Sequence, residues 1–146
     1  MNDQPPRPRR VVRLLFVCVE NANRSQMAEA FARMLGGQQV ECYSAGSAPS
    51  GQVNPRAVQA MAELGYDLSR HRSKSLQEVP PGPYDAVVTM GCGDRCPQVK
   101  ANLYLDWPLP DPKHLPPEEF NQVRDAVRRH VEALLGRLGV LASSQP

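Results

Sequence analysis

Residues 11–17 form an apolar run broken only by Arg13, the pattern of a strand buried on both faces within a parallel sheet. After a polar stretch, Met27, Phe31, Met34 and Leu35 recur at helical spacing from Ser25 onward, until Gly36-Gly37 stops them. Residues 39–44 read as a second strand ended by Ala45-Gly46. Asn54-Pro55 is a helix start, a capping side chain followed by proline at the first helical position. Its apolar stripe is Ala57, Met61 and Leu64, and Gly65 ends it. Residues 74–79 predict a short helix ahead of the turn-forming Pro80-Pro81-Gly82-Pro83. Residues 84–90, centred on Ala86, Val87 and Val88, predict the third strand, and residues 102–105 the fourth. A long helix is expected over 117–138, with Phe120, Val123, Val127, Val131, Leu134 and Leu138 inward and Glu118 and Glu119 at its positive start.

Alternating strands and helices imply an α/β fold, an open parallel four-stranded sheet flanked by helices on both faces in flavodoxin-like three-layer form. One domain is expected over 11–139, with a flexible leader at 1–10 and a frayed tail at 140–146. In such sheets ligands bind beyond the carboxyl ends of the strands. Three polar loops leave that rim: Cys18 to Arg24, Gly91 to Cys96, and Asp106 to Asp111.

Composition narrows the partners. The chain has 146 residues and a net charge of +2, too small a charge to argue for nucleic acid or an anionic membrane surface. No apolar run approaches the ~20 residues of a membrane helix, and the leader lacks the apolar core of a secretory signal. The four cysteines, Cys18, Cys42, Cys92 and Cys96, are too sparse for a disulfide framework, so reduced thiols and a cytoplasmic location are expected. Cys42, within a strand, reads as a buried, inert thiol. His71 reads as structural or solvated, and His114 and His130 carry no catalytic pattern.

The chemistry concentrates in Cys18-Val19-Glu20-Asn21-Ala22-Asn23-Arg24. A cysteine at a strand end, followed by a loop wrapping into a helix N-terminus, faces amides that lack intrahelical partners. These amides and the helix dipole favour an oxyanion or a thiolate, the nucleophilic form of cysteine. Arg24 offers a planar fork that grips two oxygens of a tetrahedral oxyanion. Ser25 is placed to donate its hydroxyl to the thiolate or to cap the helix.

The stretch from Phe16 to Ala30 resembles the signature of arsenate reductases built on the low-molecular-weight tyrosine phosphatase fold. The likeness continues through Tyr43-Ser44-Ala45-Gly46, Asn54-Pro55, Val88-Thr89-Met90-Gly91-Cys92-Gly93-Asp94, Cys96-Pro97, Asp106-Trp107 and Leu109-Pro110-Asp111-Pro112. The resemblance implies that Cys18 attacks the oxyanion, that Arg24 and the loop Val19, Glu20, Asn21, Ala22 and Asn23 hold it, and that Asp111 is the general acid. Asp106 is the rival acid on the same rim; Asp111 is preferred because the family's acid precedes a proline. A partly buried carboxyl would keep its proton more readily. The resemblance further implies a potassium site at Asn21, Glu29, Ser44 and Asp67, whose oxygen donors suit a hard cation.

A phosphatase needs only Cys18, Arg24 and an acid, whereas a reductase also needs a second thiol. Cys92 and Cys96 are the candidate resolving thiols, with the choice between them open. Lys113 and His114 follow the Asp-Pro pair, where phosphatases of this fold carry aromatic residues, which favours arsenate reduction over the alternative, a tyrosine phosphatase working through a phosphocysteine. The expected partners are arsenate, with phosphate or sulfate as analogues, and an external thiol donor: thioredoxin, a glutaredoxin-like protein, or a low-molecular-weight thiol such as mycothiol or bacillithiol. No organic cofactor is expected, residual phosphatase activity is compatible with the site, and the chain reads as a monomer.

Overall fold

A computed structural model of the chain describes residues 11–91 and 99–141. Its strands are β1 (Val12–Cys18), β2 (Val40–Gly46), β3 (Tyr84–Thr89) and β4 (Ala101–Asp106). They form one parallel sheet in the order β2-β1-β3-β4. The helices are α1 (Arg24–Gly36), α2 (Pro55–Ala62) and α3 (Pro117–Leu138). The boundaries of α3 match the sequence expectation, and Asn54 caps α2 by accepting the Arg56 N–H at 2.9 Å.

Alternation along β1 divides the core. Val12, Leu14, Phe16 and Cys18 join Met27, Phe31, Ala57, Met61, Phe120, Val127 and Val131, residues of all three α-helices. Leu15 and Val17 face the other way, packing with Ala45, Tyr84 and Val87 beneath Leu76, Val79 and Val99. Residues of all three α-helices thus meet one face of the sheet, whereas helices were expected on both. Among the described residues, the second face is covered by a 3-10 turn, Leu76–Glu78, where a short helix over 74–79 was expected.

Further differences have local causes. β1 runs one residue further than expected because Cys18 still pairs with Gly46. Met34 is exposed, because the buried face of α1 is carried by Met27, Ala28, Ala30 and Phe31. Val140, expected to fray, is buried: left-handed Gly139 closes α3, and the Val140 N–H donates to Leu135 O at 2.9 Å. The leader 1–10, the remainder of the tail and residues 92–98 lie outside the described residues.

Candidate active site

Cys18 is the last residue of β1 and is 3% exposed. Beyond it, every carbonyl from Cys18 to Asn23 is held from outside the loop. Ser47 N–H donates to Cys18 O (3.2 Å), Ala48 N–H to Val19 O (2.8 Å), and Ser50 N–H to Glu20 O (3.1 Å). Ser73 O–H also donates to Glu20 O (2.7 Å), and the Gln26 amide to Asn21 O (3.1 Å). Asn54 N–H takes Ala22 O (3.1 Å) and Met27 N–H takes Asn23 O (2.9 Å). In a planar trans peptide the N–H points opposite its carbonyl, so the amides of residues 19–24 turn into the hollow of the loop. Asn21 supports the curl with φ +51°, a conformation asparagine tolerates better than most residues.

The hollow is lined by Cys18, Glu20, Ala22, Asn23, Arg24 and Asp111. Arg24 enters as the first residue of α1 and is 6% exposed. Its Nη1 donates to Leu109 O at 2.9 Å, and its Nη2 lies 3.9 Å from Asp111 Oδ2. Its Nε is buried without a hydrogen-bond partner among the described residues, so Nε and Nη2, the latter facing Asp111 only at 3.9 Å, form the prongs of the fork left free of hydrogen bonds. Gly91 permits this placement: a Cβ there would come within 2.8 Å of Nη1. Ser25 is fully buried with its Oγ 2.9 Å from Cys18 Sγ.

The two candidate acids separate. Asp106 ends β4 and accepts from Thr89 Oγ1 at 2.9 Å. Asp111 lines the hollow, with Oδ1 accepting from Asn23 Nδ2 at 3.5 Å and from the Lys113 N–H at 3.0 Å. The Asp111 side chain is 44% exposed. Arg56 of α2 holds the acid loop from beneath, donating Nη1 to Lys113 O at 2.9 Å and Nη2 to Leu115 O. Lys113 Nζ reaches back 3.2 Å to the Glu20 carboxylate, so the Glu20 charge is answered at the rim.

Of the four candidate potassium ligands, Glu29 and Ser44 meet directly. Asp67 is at the surface, capping Ser69 and facing Arg70. Glu29 accepts from Ser44 Oγ at 2.6 Å and pairs with Arg33 at 2.8 Å, while Lys74 Nζ stands 3.8 Å from it and 3.4 Å from Ser44 Oγ. A side-chain ammonium thus supplies the positive charge beside Glu29 and Ser44. Burial lowers the Lys74 pKa while Glu29 opposes that shift. Among the described residues, no group of His, Cys, Asp and Glu could hold a metal.

Cys92 and Cys96 lie outside the described residues. Cys42 is buried, and desolvation pushes its thiol up to about 12, the inert behaviour expected of it. Gln26, His71 and Lys74 brace the loop from behind, yet sequence reasoning gave Gln26 and Lys74 no role and left His71 structural or solvated. A glutamine directly after the serine of an anion loop was the available signal.

The chain matches the low molecular weight phosphotyrosine protein phosphatase family over residues 13–143. It is 36% identical to a glutaredoxin arsenate reductase of Synechocystis over 129 residues, covering 86% of this chain and 98% of that protein. A solved structure described as an arsenate reductase in the phosphate binding state superposes with a TM-score of 0.80 at 36% identity, covering 87% of this chain and 98% of the other. A Corynebacterium glutamicum thioredoxin-dependent arsenate reductase superposes with a TM-score of 0.73 at 30% identity, covering 89% and 63%. Among the described residues no helix is long and apolar enough to cross a membrane.

Proposed function

We propose, from the premise that this chain belongs to the low molecular weight phosphotyrosine protein phosphatase family, that it is an arsenate reductase with Cys18 as its nucleophile. The observation that carries the reading is the convergence of Cys18 Sγ, the inward amides of residues 19–24 and the free Arg24 prongs on one small hollow. Such donors, fixed before the reaction, stabilise an oxyanion with little reorganisation.

In the first step the Cys18 thiolate attacks arsenic(V), and one arsenate oxygen leaves as water after protonation by Asp111. The exposure of Asp111 lets its carboxyl take a new proton from solvent between turnovers. A second thiolate, from Cys92 or Cys96, then attacks Cys18 Sγ. A sulfur–sulfur bond forms, the sulfur–arsenic bond breaks, and its electron pair stays on arsenic. Arsenic(V) becomes arsenic(III), two thiols become a disulfide, and arsenite leaves. An external thiol reductant restores the cysteines by exchange. Thioredoxin and glutaredoxin are the candidate proteins, and mycothiol or bacillithiol the candidate small thiols. This cycle requires a compartment that keeps thiols reduced, the cytoplasm.

The test is arsenate reduction by wild type, Cys18→Ser, Cys92→Ser and Cys96→Ser, with thioredoxin and its reductase beside a glutaredoxin–small-thiol system. Cys18→Ser is expected to be inactive with every donor; full activity in that variant would end the reading. Loss in one loop variant identifies the resolving thiol, whereas full activity in both loop variants with a small thiol alone would remove the internal relay.

A further inference from the structure

Behind Ser25 lies an unbroken line of side-chain hydrogen bonds. Tyr66 Oη is 2.7 Å from His71 Nε2, and His71 Nδ1 is 2.8 Å from Gln26 Oε1. Gln26 Nε2 is 2.8 Å from Asn21 Oδ1, Asn21 Nδ2 is 2.8 Å from Ser25 Oγ, and Ser25 Oγ is 2.9 Å from Cys18 Sγ. Gln26, Asn21 and Ser25 are fully buried.

The direction of each bond follows from its neighbours. Gln26 Nε2 faces three acceptors, Asn21 Oδ1, Asn21 O and Arg72 O, so the amide cannot be reversed. Gln26 Oε1 therefore accepts, and His71 Nδ1 carries the proton. In a neutral imidazole, Nε2 is then the acceptor for the Tyr66 hydroxyl. Burial favours that neutral form; Arg33 and Lys74 act the same way, and Glu29, 3.9 Å from Nδ1, and Asp67 act against it. At the inner end, Asn21 Oδ1 also accepts the Lys74 N–H at 3.0 Å, which fixes the Asn21 amide with Nδ2 toward Ser25. Ser25 Oγ accepts from Asn21, and its own proton turns to Cys18 Sγ. All five bonds donate toward the sulfur, so each polarises the next.

We infer that Tyr66 and His71 are positioning residues for the nucleophile: through Gln26 and Asn21 they orient the Ser25 hydroxyl to donate to the Cys18 thiolate. The inference rests on Cys18 being the nucleophile. Neither residue touches the hollow, so their effect is on the reactivity of sulfur and not on oxyanion binding. His71 supplies the donor without which the Gln26 carbonyl has no partner, and Tyr66 holds the imidazole in the required tautomer.

The test is the pH dependence of Cys18 alkylation by iodoacetamide, followed by peptide mapping in a Cys92→Ser/Cys96→Ser background. His71→Ala is expected to raise the midpoint pH by about one unit, a tenfold loss of thiolate, the scale of one charge-assisted hydrogen bond. His71→Gln, which retains an N–H donor, is expected to recover part of the shift. Tyr66→Phe, removing one oxygen, is expected to give a smaller shift in the same direction. Phosphate affinity, read from Trp107 fluorescence, should stay within about twofold of the parent in all three. An unchanged midpoint in both His71→Ala and Tyr66→Phe overturns the inference, as does a shift accompanied by equal loss of phosphate affinity. If His71→Ala does not fold, Tyr66→Phe alone decides. Failure of the nucleophile reading is separately visible as arsenate reduction by Cys18→Ser.

Discussion

Arg24 divides its guanidinium between two tasks. Nη1 is committed to Leu109 O, while Nε is buried and unpartnered among the described residues. Lysine can supply the charge but not two parallel donors. Arg24→Lys is therefore expected to weaken phosphate binding roughly tenfold to hundredfold, the loss of one or two charge-assisted bonds, as measured by calorimetric titration. A second residue-scale expectation concerns pH. Burial holds His71 below its ordinary value, so below about pH 6.5 the unfolded chain binds a proton more readily than the folded one. Stability is then present above that pH and lost as pH falls through the window. Denaturant titrations from pH 7.5 to 5 are expected to show the decline, and His71→Gln to flatten it; an equal slope in both would assign the decline to other groups. Cys42 gives the opposite sign. Its thiol is pushed up to about 12, so its contribution is intact below the ordinary cysteine value of about 8.5 and is lost only at higher pH. At pH 8 it should resist alkylation in the folded protein and react on unfolding.

At the scale of elements, the acid loop is held by α2 as well as by its own turn, in which Asp111 accepts the Lys113 N–H. Arg56 stacks over Phe120 at 4.7 Å and grips the carbonyls of Lys113 and Leu115. Arg56→Met keeps much of the stacked stem while removing both grips, so Asp111 should lose its place over the hollow. The expected result is a severalfold lower kcat with phosphate affinity little changed; equal loss of both would mean that the anion loop itself had moved. The Lys113–Glu20 pair across the rim is exposed, and such pairs contribute at most about 1 kcal/mol. Much at this scale was legible. Asn54-Pro55 announced α2, and the apolar spacing from Phe120 to Leu138 marked α3, because caps and periodicity are local signals. The 3-10 turn at Leu76–Glu78 and the docking of Val140 were not, since tertiary contacts decide them. Asp111 was legible as a residue from its Asp-Pro setting, but its exposure was not.

For the whole molecule, the Cys18–Arg24 loop could be read because one short segment carries both its chemistry and its geometry. The brace behind it could not. Glu29, Ser44, His71 and Lys74 come from separate parts of the chain, and only the parallel pairing of β1 with β2, with Gly46 bridged to Ser75, brings them to one place. The same assembly yields a final prediction. The fold has already committed the loop carbonyls to partners outside it, leaving inward amides and the Arg24 fork as donors suited to an anion. An oxyanion binds this arrangement and not the unfolded chain, so it must stabilise the fold by mass action. At one hundred times its dissociation constant, phosphate or sulfate should add about 2.7 kcal/mol, raising Tm by roughly 5–10 °C for a chain of this length. At the same fixed anion concentration, Arg24→Lys should show a much smaller shift. Should both proteins shift equally, the stabilisation would come from general salt effects rather than the hollow, and the assignment of the free Arg24 prongs to the oxyanion would be wrong.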